Sequence, residues 1–132
     1  MADRICVDTD VLIGLLRKDP ASVSWFSRFE GKAILATTQI NGFEMYCGAF
    51  YSIRREENLQ AAEKLLQKMI MLNLTHESTR HAGEWFAKLK KKGHSIEMRD
   101  LLIGAIALTE GFRLKTYNRK HFEQMEGLIL ED

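Results

Sequence analysis

RICVDTDVLIGLL, residues 4–16, begins with a short apolar segment, continues with an acidic pair and ends in an amphipathic segment. Arg4 to Val7 has the length and apolar character of a buried strand, and it ends at Asp8 and Asp10. Apolar residues at helical spacing then form a stripe from Asp10 to Leu16. A strand that leads through acids into a helix is typical of α/β domains, in which ligands bind beyond the carboxyl ends of the strands.

The alternation of strands and helices continues along the chain. Further strands are predicted at Lys32–Ala36, Met71–Leu74, Arg113–Thr116 and Leu128–Leu130. Helices are predicted from the Asp19 cap to Gly31, from Ile40 to Ile53, from Leu59 to Ile70, from the Thr75 cap to Gly93 and from Met98 to Thr109, with a polar break at 54–57. This order implies right-handed crossovers and a mainly parallel sheet that is covered on both faces. We therefore predict one α/β domain over residues 1–132, with a central sheet of four to five strands flanked by helices.

Composition and charge fit a globular protein with one core. The chain has 132 residues, of which 45% are hydrophobic and 28% charged, and its formal net charge is +1. No apolar run approaches the roughly 20 residues of a membrane helix, and the first residues lack the layout of a signal peptide, so we expect a cytoplasmic protein without membrane contact. The net charge decides little about nucleic acid, because clustered acids can cancel a basic rim. Cys6 and Cys47 form no CxxC pair and are predicted to be buried, reduced thiols.

Two acids stand in unusually apolar surroundings. Glu44 is the only charged residue in GFEMYCGAFYSI, residues 42–53, and Asp100 directly precedes LLIGAIAL. An isolated carboxylate in such surroundings is costly unless it is paired, protonated or bound to a metal. Purely structural explanations also exist. Asp8 or Asp10 can cap the first helix, Asp100 can complement a helix dipole, and Glu44 can pair with an arginine.

Taken together, Asp8, Glu44 and Asp100 predict a metal site. Two carboxylates about 4 Å apart repel each other by about 4 kcal/mol at an effective dielectric constant near 20, so converging acids require a counter-charge. A hard divalent cation with oxygen ligands supplies one. A zinc site is not indicated, because the four histidines show neither HxH nor HExxH spacing. A glycine four residues after Asp10, Glu44 and Asp100 either leaves room for a metal, water or phosphate, or allows close helix packing.

Four segments, in order, resemble the PIN domain. They are ICVDTDVLIGLL, INGFEMYCG around Glu44, RDLLIGAIAL and LKTYNRKHF, and the likeness extends from Ile5 to Leu130. Within that family the sequence is most similar to the VapC-type toxins of prokaryotic toxin–antitoxin pairs. The resemblance implies a parallel sheet with flanking helices and an endoribonuclease that depends on Mg²⁺ or Mn²⁺. It also implies a partner antitoxin that holds the toxin inactive, and a homodimer.

The resemblance also gives roles to individual residues. Asp8, Glu44 and Asp100 match the three central acids of the family, which act there as metal ligands and catalytic residues. Thr9 matches the small hydroxyl residue after the first acid, and Thr116 matches the one near the last strand. Both threonines are therefore expected to support the acidic site.

One position departs from the fullest family pattern. Asn118 stands where many PIN domains have a fourth aspartate, and an amide can ligate a metal through oxygen but carries no charge. Asn118 is kept as a candidate catalytic residue, and a second metal is expected to bind more weakly. Glu97, three residues before Asp100, can supply the missing charge, and Asp10 is a further candidate.

The predicted reaction is hydrolysis of an RNA phosphodiester by metal-activated water. The cation would lower the pKa of that water, orient in-line attack and stabilise charge on the phosphate. No lone histidine, cysteine or serine is required as a nucleophile. RNA must then be held by cations around the acidic centre. The candidates are Arg99, Arg113, Lys115, Arg119 and Lys120.

Two other functions are compatible with parts of the sequence. ICVDTDVL also matches DxDx[TV], the nucleophile motif of haloacid-dehalogenase-like phosphatases, in which Asp8 would attack phosphorus and Asp10 would act as acid–base. That family has a late GDxxxD-like pair of acids, which this chain lacks, and it gives no reason for Glu44. The second alternative is a catalytically inactive PIN-like binding module, which Asn118 permits and the three intact acids oppose.

Overall fold

The computed structural model describes residues 2–132, and they form an α/β domain with helices on both faces of one sheet. The strands are β1 (Arg4–Val7), β2 (Ile34–Thr38), β3 (Ile70–Leu72) and β4 (Arg113–Lys115). The helices are α1 (Thr9–Leu16), α2 (Pro20–Phe29), α3 (Gln39–Tyr51), α4 (Arg55–Gln67), α5 (His76–Lys91), α6 (Met98–Thr109) and α7 (Arg119–Phe122). The predicted α/β class is confirmed.

The sheet is parallel throughout and has the strand order β3-β2-β1-β4. Cys6 in β1 pairs with Ala36 of β2 on one side and with Leu114 of β4 on the other. The strand order therefore reverses at β1, with β2 and β3 on one side and the last strand on the other. Such a reversal opens a crevice beyond the carboxyl ends of the strands, where ligands bind in open α/β sheets. Asp8 directly follows β1 at this crevice.

Apolar residues cover both faces of the sheet. Side chains alternate along a strand, so Ile5 and Val7 of β1 join one layer and Cys6 joins the other. The first layer contains buried residues of α1 to α4, and the second contains those of α5, α6 and α7. Most of α6 is buried, as its apolar sequence predicted, and Asp100 enters the site from the first turn of this helix.

Three predicted strands, the second, third and fourth, have different bounds in the structure, and the fifth is absent. The second strand was predicted at 32–36, but β2 continues through Thr37 and Thr38, which pair with Met71 and Leu72 of β3. Both threonines are fully buried. The Thr37 hydroxyl donates to the Val7 carbonyl oxygen at 2.7 Å, and the Thr38 hydroxyl caps α3, so both residues belong to the end of the strand and not to a loop. The fifth strand predicted at Leu128–Leu130 is wrong, because this segment contributes only an isolated bridge to β4.

Two local predictions also fail, and one short helix was not predicted. The predicted polar break at 54–57 is largely the first turn of α4, where Glu56 and Glu57 interact favourably with the helix dipole. Helix α7 was not predicted, because four residues are too few for a periodic pattern. Cys6 is buried as expected, but Cys47 is exposed on α3.

Within residues 2–132, no helix has the length and apolar character needed to cross a membrane.

Candidate active site

Asp8 occupies the centre of the crevice. As the N-cap of α1 it accepts the Thr9 backbone N–H at 2.8 Å, which is the capping role that its sequence position allowed. Its other oxygen accepts the hydroxyl of Thr116, the residue after β4, at 2.7 Å. The side chain is fully buried, so these bonds help to offset the cost of removing a carboxylate from water.

Asn41 is a site residue that the sequence reasoning missed. Its amide nitrogen donates to Asp8 Oδ1 at 2.9 Å and to Thr9 Oγ1 at 2.8 Å, and its oxygen accepts from the backbone N–H and hydroxyl of Thr38. Thr38 and Asn41 form a capping box at the start of α3. The spacing of a threonine and a polar residue three positions later was a signal that could have identified this cap.

Glu44 lies one turn further along α3 and is half-buried at the edge of the same crevice. Its Oε1 accepts the Thr9 hydroxyl at 2.6 Å. Thr9 thus connects Glu44 to Asn41, which donates to the same hydroxyl oxygen. The expectation that Thr9 supports the acids agrees with this geometry.

Asp100 reaches the crevice from the N-terminal turn of α6 and is 2% exposed. A carboxylate at this end of a helix is stabilised by the helix dipole, so the structural explanation for Asp100 also holds. Its Oδ2 lies 3.0 Å from Nδ1 of His121 on α7, and they form a hydrogen bond. His121 was not among the predicted site residues, since α7 itself was not predicted.

The Arg99 guanidinium lies between the three predicted acids. Its Nε and Nη2 donate to the two oxygens of Glu44 at 2.6 and 2.9 Å. Nη2 also donates to Asp8 Oδ1 at 2.7 Å, and Nη1 donates to Asp100 Oδ1 at 2.6 Å. Arg99 was predicted to bind RNA around the acidic centre, whereas its guanidinium lies between the acids and supplies the counter-charge that converging acids require.

The charges of this cluster shift two pKa values. Burial alone would lower the pKa of Arg99, but its bonds to Glu44, Asp8 and Asp100 outweigh burial and hold that pKa above its ordinary value. Burial raises the pKa of Glu44, but the bonds from Arg99 and Thr9 outweigh it and keep the pKa below its ordinary value. Both shifts favour the charged forms, so the guanidinium and the carboxylate stabilise each other.

Asp10 lies at the edge of the site. Its Oδ2 accepts the Tyr117 backbone N–H at 3.0 Å, while its Oδ1 is buried and has no hydrogen-bond partner. Burial, followed by the charge of Asp8, raises the pKa of Asp10. A buried carboxylate oxygen without a partner is costly unless it binds a proton, a water or a cation. Asp10 therefore fits the supporting role that sequence analysis left open for it.

The two remaining candidates are exposed. Asn118 precedes α7, and its backbone N–H donates to the Thr116 hydroxyl at 3.0 Å, but its side chain makes no capping bond. Glu97 precedes α6 and lines a cavity of about 190 Å³ together with Asp100 and His121. Both residues are thus near the acids, and neither side chain contacts them directly in the described hydrogen-bond network.

The five candidate RNA-binding cations do not lie together. Arg113 is the first residue of β4 and so lies at the amino-terminal end of the strands, whereas the acids lie beyond the carboxyl ends. It is ion-paired with Asp3 and Glu131, and the structure does not bring it to the site. Lys115 and Arg119 lie nearer, but Lys115 donates to the Asp132 carbonyl and Arg119 to the Glu131 carbonyl. Lys120 is exposed on α7.

The three glycines that follow an acid by four residues do not share one role. A Cβ on Gly14 would overlap the Ser22 hydroxyl, and a Cβ on Gly104 would lie 2.5 Å from Met125 Sδ. These two glycines therefore allow close helix packing. Gly48 has no neighbour within 4 Å of such a Cβ and lines an open groove between α1, α3 and α4.

The donor set fits a hard divalent cation in its chemistry. Asp8, Glu44 and Asp100 offer only carboxylate oxygens, which are the ligands that Mg²⁺ and Mn²⁺ prefer, and Asp10 adds a buried oxygen without a partner. Among residues 2–132, however, no three acidic, histidine or cysteine side chains are spaced to hold a metal ion as they stand. The spacing in the structure matches the guanidinium of Arg99.

Comparison with known proteins identifies the family. The PIN domain family profile matches residues 5–128, which is nearly the whole chain. The parallel sheet, the acids at its carboxyl edge and this match together show that the chain belongs to the PIN domain family.

Curated relatives have similar lengths. Ribonuclease VapC2 of Haemophilus influenzae is 30% identical over 127 residues, which cover 96% of this chain and 95% of the relative. The tRNA(fMet)-specific endonuclease VapC of Shigella flexneri is 28% identical over 130 residues, covering 98% and 97% of the two chains.

Solved structures show the same fold in toxin–antitoxin complexes. VapBC2 from Rickettsia felis, bound to a DNA fragment from its promoter, matches with a TM-score of 0.88 and 26% identity, covering 96% of both chains. VapBC-1 from nontypeable Haemophilus influenzae matches with a TM-score of 0.86 and 29% identity, covering 97% of this chain and 96% of that one.

Proposed function

We propose that this protein is a divalent-metal-dependent endoribonuclease and the toxin of a VapBC-type pair. The observation that carries the proposal is the convergence of Asp8, Glu44 and Asp100 on one point at the carboxyl edge of a PIN-domain sheet. Relatives named ribonuclease or endonuclease VapC that match nearly the whole chain support the same activity.

The proposed cofactor is Mg²⁺ or Mn²⁺, held by Asp8, Glu44 and Asp100. When bound, such an ion lowers the pKa of a coordinated water and stabilises charge on phosphate oxygens. Thr116 and Asn41 donate to the two oxygens of Asp8 and so hold its carboxylate in one orientation. Ligands whose orientation is fixed in this way favour metal binding and catalysis, because the carboxylates need little reorganisation when the ion binds.

The exposed residues after β4 are the proposed RNA contacts. Asn118 and Lys120 are exposed on this side of the site, and a lysine there can bind a phosphate as a point charge. Tyr117 is 46% exposed, and its hydroxyl lies 2.5 Å from the buried hydroxyl of Ser22. A ring anchored at one end in this way is suited to stack on an unpaired base.

An antitoxin is the proposed protein partner. The solved structures named above as VapBC contain such a complex, and this chain exposes large apolar side chains that a partner could cover. Phe50, Tyr51 and Ile53, at the end of α3 and just beyond it, are all more than half exposed. The homodimer implied by the family resemblance stays a prediction.

The phosphatase alternative receives no support from the site. Asp8 would have to attack phosphorus, but its carboxylate is fully buried and accepts bonds from Thr116, Asn41, Thr9 and Arg99. The PIN match over residues 5–128 favours the nuclease. The inactive binding module is separated from the nuclease by measuring cleavage.

The first test is cleavage of end-labelled tRNA and ribosomal RNA fragments with Mg²⁺, with Mn²⁺ or with EDTA. We expect discrete cuts by the wild-type protein in either metal and none in EDTA. The Asp8→Asn and Glu44→Gln variants should lose at least 100-fold in cleavage rate, which corresponds to about 2.7 kcal/mol of transition-state stabilisation.

Glu84→Gln is the matched control for Glu44→Gln. Glu84 is exposed on α5 and its carboxylate pairs only loosely with Lys88 at 3.8 Å, so this variant should cleave like the wild type. Cleavage that persists in EDTA, or in both site variants, would contradict the proposed mechanism. Metal binding without any cleavage would favour the inactive module.

A further inference from the structure

The three carboxylates of the site are held together by a side chain of the same protein. Arg99 uses four N–H groups to contact Glu44 twice, Asp8 once and Asp100 once, at distances between 2.6 and 2.9 Å. A guanidinium has five such donors in a rigid plane, so this arrangement uses nearly all of its binding capacity. The guanidinium thus links all three carboxylates, but its single positive charge balances only one of their three negative charges.

Arg99 contacts the acids through a long, partly exposed side chain. Arg99 and Asp100 are neighbours in the first turn of α6, and Asp100 is 2% exposed whereas the side chain of Arg99 is 26% exposed. Rotation about the side-chain bonds of an arginine can carry its guanidinium to solvent without moving the helix backbone. The carboxylates, in contrast, have further partners: Thr9 donates to Glu44, Asn41 and Thr116 donate to Asp8, and Asp100 is hydrogen-bonded to His121.

A divalent cation and this guanidinium compete for the same oxygens. Both are positively charged, and at contact distance in a partly buried site they repel each other. A divalent ion also supplies twice the charge against Asp8, Glu44 and Asp100, so the exchange is electrostatically reasonable. Asp8 Oδ1, Asp100 Oδ1 and both oxygens of Glu44 accept bonds from Arg99, so an ion that used them would have to replace it.

We infer that Arg99 is a built-in counter-ion that keeps the acidic site assembled without metal and must leave before a divalent cation binds there. The inference rests on the proposed function, because it places that cation at Asp8, Glu44 and Asp100. Arg99 then sets the affinity for the metal by competition and is not a ligand of the metal or of the reacting atoms.

The test compares Mn²⁺ binding to the whole protein and to three variants. Free Mn²⁺ is measured by electron paramagnetic resonance at constant pH and ionic strength. Arg99→Gln removes the competing charge and should bind Mn²⁺ at least tenfold more tightly than the wild type. Arg99→Lys keeps the charge but cannot bridge three carboxylates, and should bind with intermediate affinity. Arg113→Gln removes an arginine that pairs with two acids at the amino-terminal end of the strands, and this variant should bind Mn²⁺ like the wild type.

Thermal unfolding gives a second readout. In EDTA, Arg99→Gln should unfold at a lower temperature than the wild type, because three acids then lack their counter-ion. The same excess concentration of Mn²⁺ should raise the unfolding temperature of Arg99→Gln more than that of the wild type, since a ligand that binds only the folded state stabilises it by an amount that grows with the logarithm of its affinity. If the role of Arg99 were purely structural, Arg99→Gln would have both a lower unfolding temperature and a lower affinity for Mn²⁺ than the wild type.

Each outcome is decisive. Equal or weaker Mn²⁺ binding by both Arg99 variants would overturn the inference and leave the metal site of the proposed function intact. No Mn²⁺ binding by any of the four proteins would overturn both. Tighter binding by Arg99→Gln in a protein that cleaves no RNA would support the inference and overturn the nuclease.

Discussion

Asp8 shows, at the scale of a single residue, how a carboxylate can be buried completely. Its two oxygens accept bonds from four donors, which are the Thr9 backbone, Asn41, Arg99 and Thr116. Three of the four bonds fall on Oδ1, so Oδ2 keeps capacity for a further partner. The aspartate is thus both a helix cap and a candidate ligand, and the structural and functional explanations of its position are compatible.

Asn41 gives the first prediction at this scale. Replacement by alanine removes two donated and two accepted hydrogen bonds in a fully buried network and leaves polar partners unsatisfied. We expect Asn41→Ala to lower the free energy of unfolding by about 2–3 kcal/mol, because a buried bond to a charged group is worth about that much. Urea unfolding followed by circular dichroism measures the change.

Asn58→Ala is the matched control for this prediction. Asn58 is exposed on α4, where its amide donates to the Ser52 hydroxyl at 2.8 Å. Its loss should change the free energy of unfolding by no more than about 0.5 kcal/mol, as is usual at the surface. Equal effects of the two substitutions would mean that the network around Asp8 contributes nothing special to stability.

At the scale of elements, the contact between α1 and α2 is set by a glycine. Gly14 leaves the space that the Ser22 side chain occupies, and the Ser22 hydroxyl is in turn bonded to Asp19 and to Tyr117. The Ser22 hydroxyl thus connects the contact between α1 and α2 to Tyr117, which lies at the rim of the site. Packing, and not room for a ligand, explains this member of the glycine pattern.

Two glycine substitutions test this difference between elements. Gly14→Ala should lower the free energy of unfolding by about 1–3 kcal/mol, since its Cβ would overpack the buried Ser22 hydroxyl. Gly48→Ala, in α3 with nothing within 4 Å of the new Cβ, should raise it by about 0.5–1 kcal/mol through helix propensity. Thermal unfolding of both variants measures the pair, and a similar sign for both would contradict the packing explanation.

At the scale of the whole molecule, the strand order assembles the site. Asp8 follows β1, Glu44 belongs to the helix after β2, and Thr116 follows β4. Because β1 lies between β2 and β4, the segments that follow these strands meet at one edge of the sheet. Asp100 joins them from the start of α6, which packs on the other face.

The two cysteines give a prediction for the intact fold. Cys6 lies in the central strand, fully buried, and burial followed by the charge of Asp8 raises the pKa of its thiol. Cys47 is exposed on α3. Since only an accessible thiolate reacts, we expect a thiol-specific chromogenic reagent to modify one thiol per native chain and two in denaturant.

A Cys47→Ser variant provides the control for thiol labelling. Its native form should show almost no reactive thiol, and the slow reaction of Cys6 should follow global unfolding, because Cys6 is fully buried in a strand that is paired on both sides. Rapid labelling of Cys6 in native Cys47→Ser would show that the sheet opens locally at β1.

Sequence alone determined the α/β class, the parallel sheet and the identity of the three acids. These features depend on local patterns: an apolar strand before Asp8, and Glu44 and Asp100 in stretches that are otherwise apolar. The bounds of α6 were also predicted correctly as Met98–Thr109, because the helix is long and apolar. The class and the parallel sheet follow from the order of strands and helices along the chain, and the acids and α6 from patterns within single segments, so no knowledge of distant contacts was needed.

Only the tertiary structure decided what fills the space between the acids. Arg99 and Asn41 are separated in sequence from Asp8 by 91 and 33 residues, yet both donate to its Oδ1. No local pattern predicts such contacts, because the strand order and the direction of each long side chain determine them together. The same reason explains why Arg113, close in sequence to Thr116, lies at the other end of the strands from the acids. It also explains why the counter-charge that the acids require is supplied by an arginine of the protein itself.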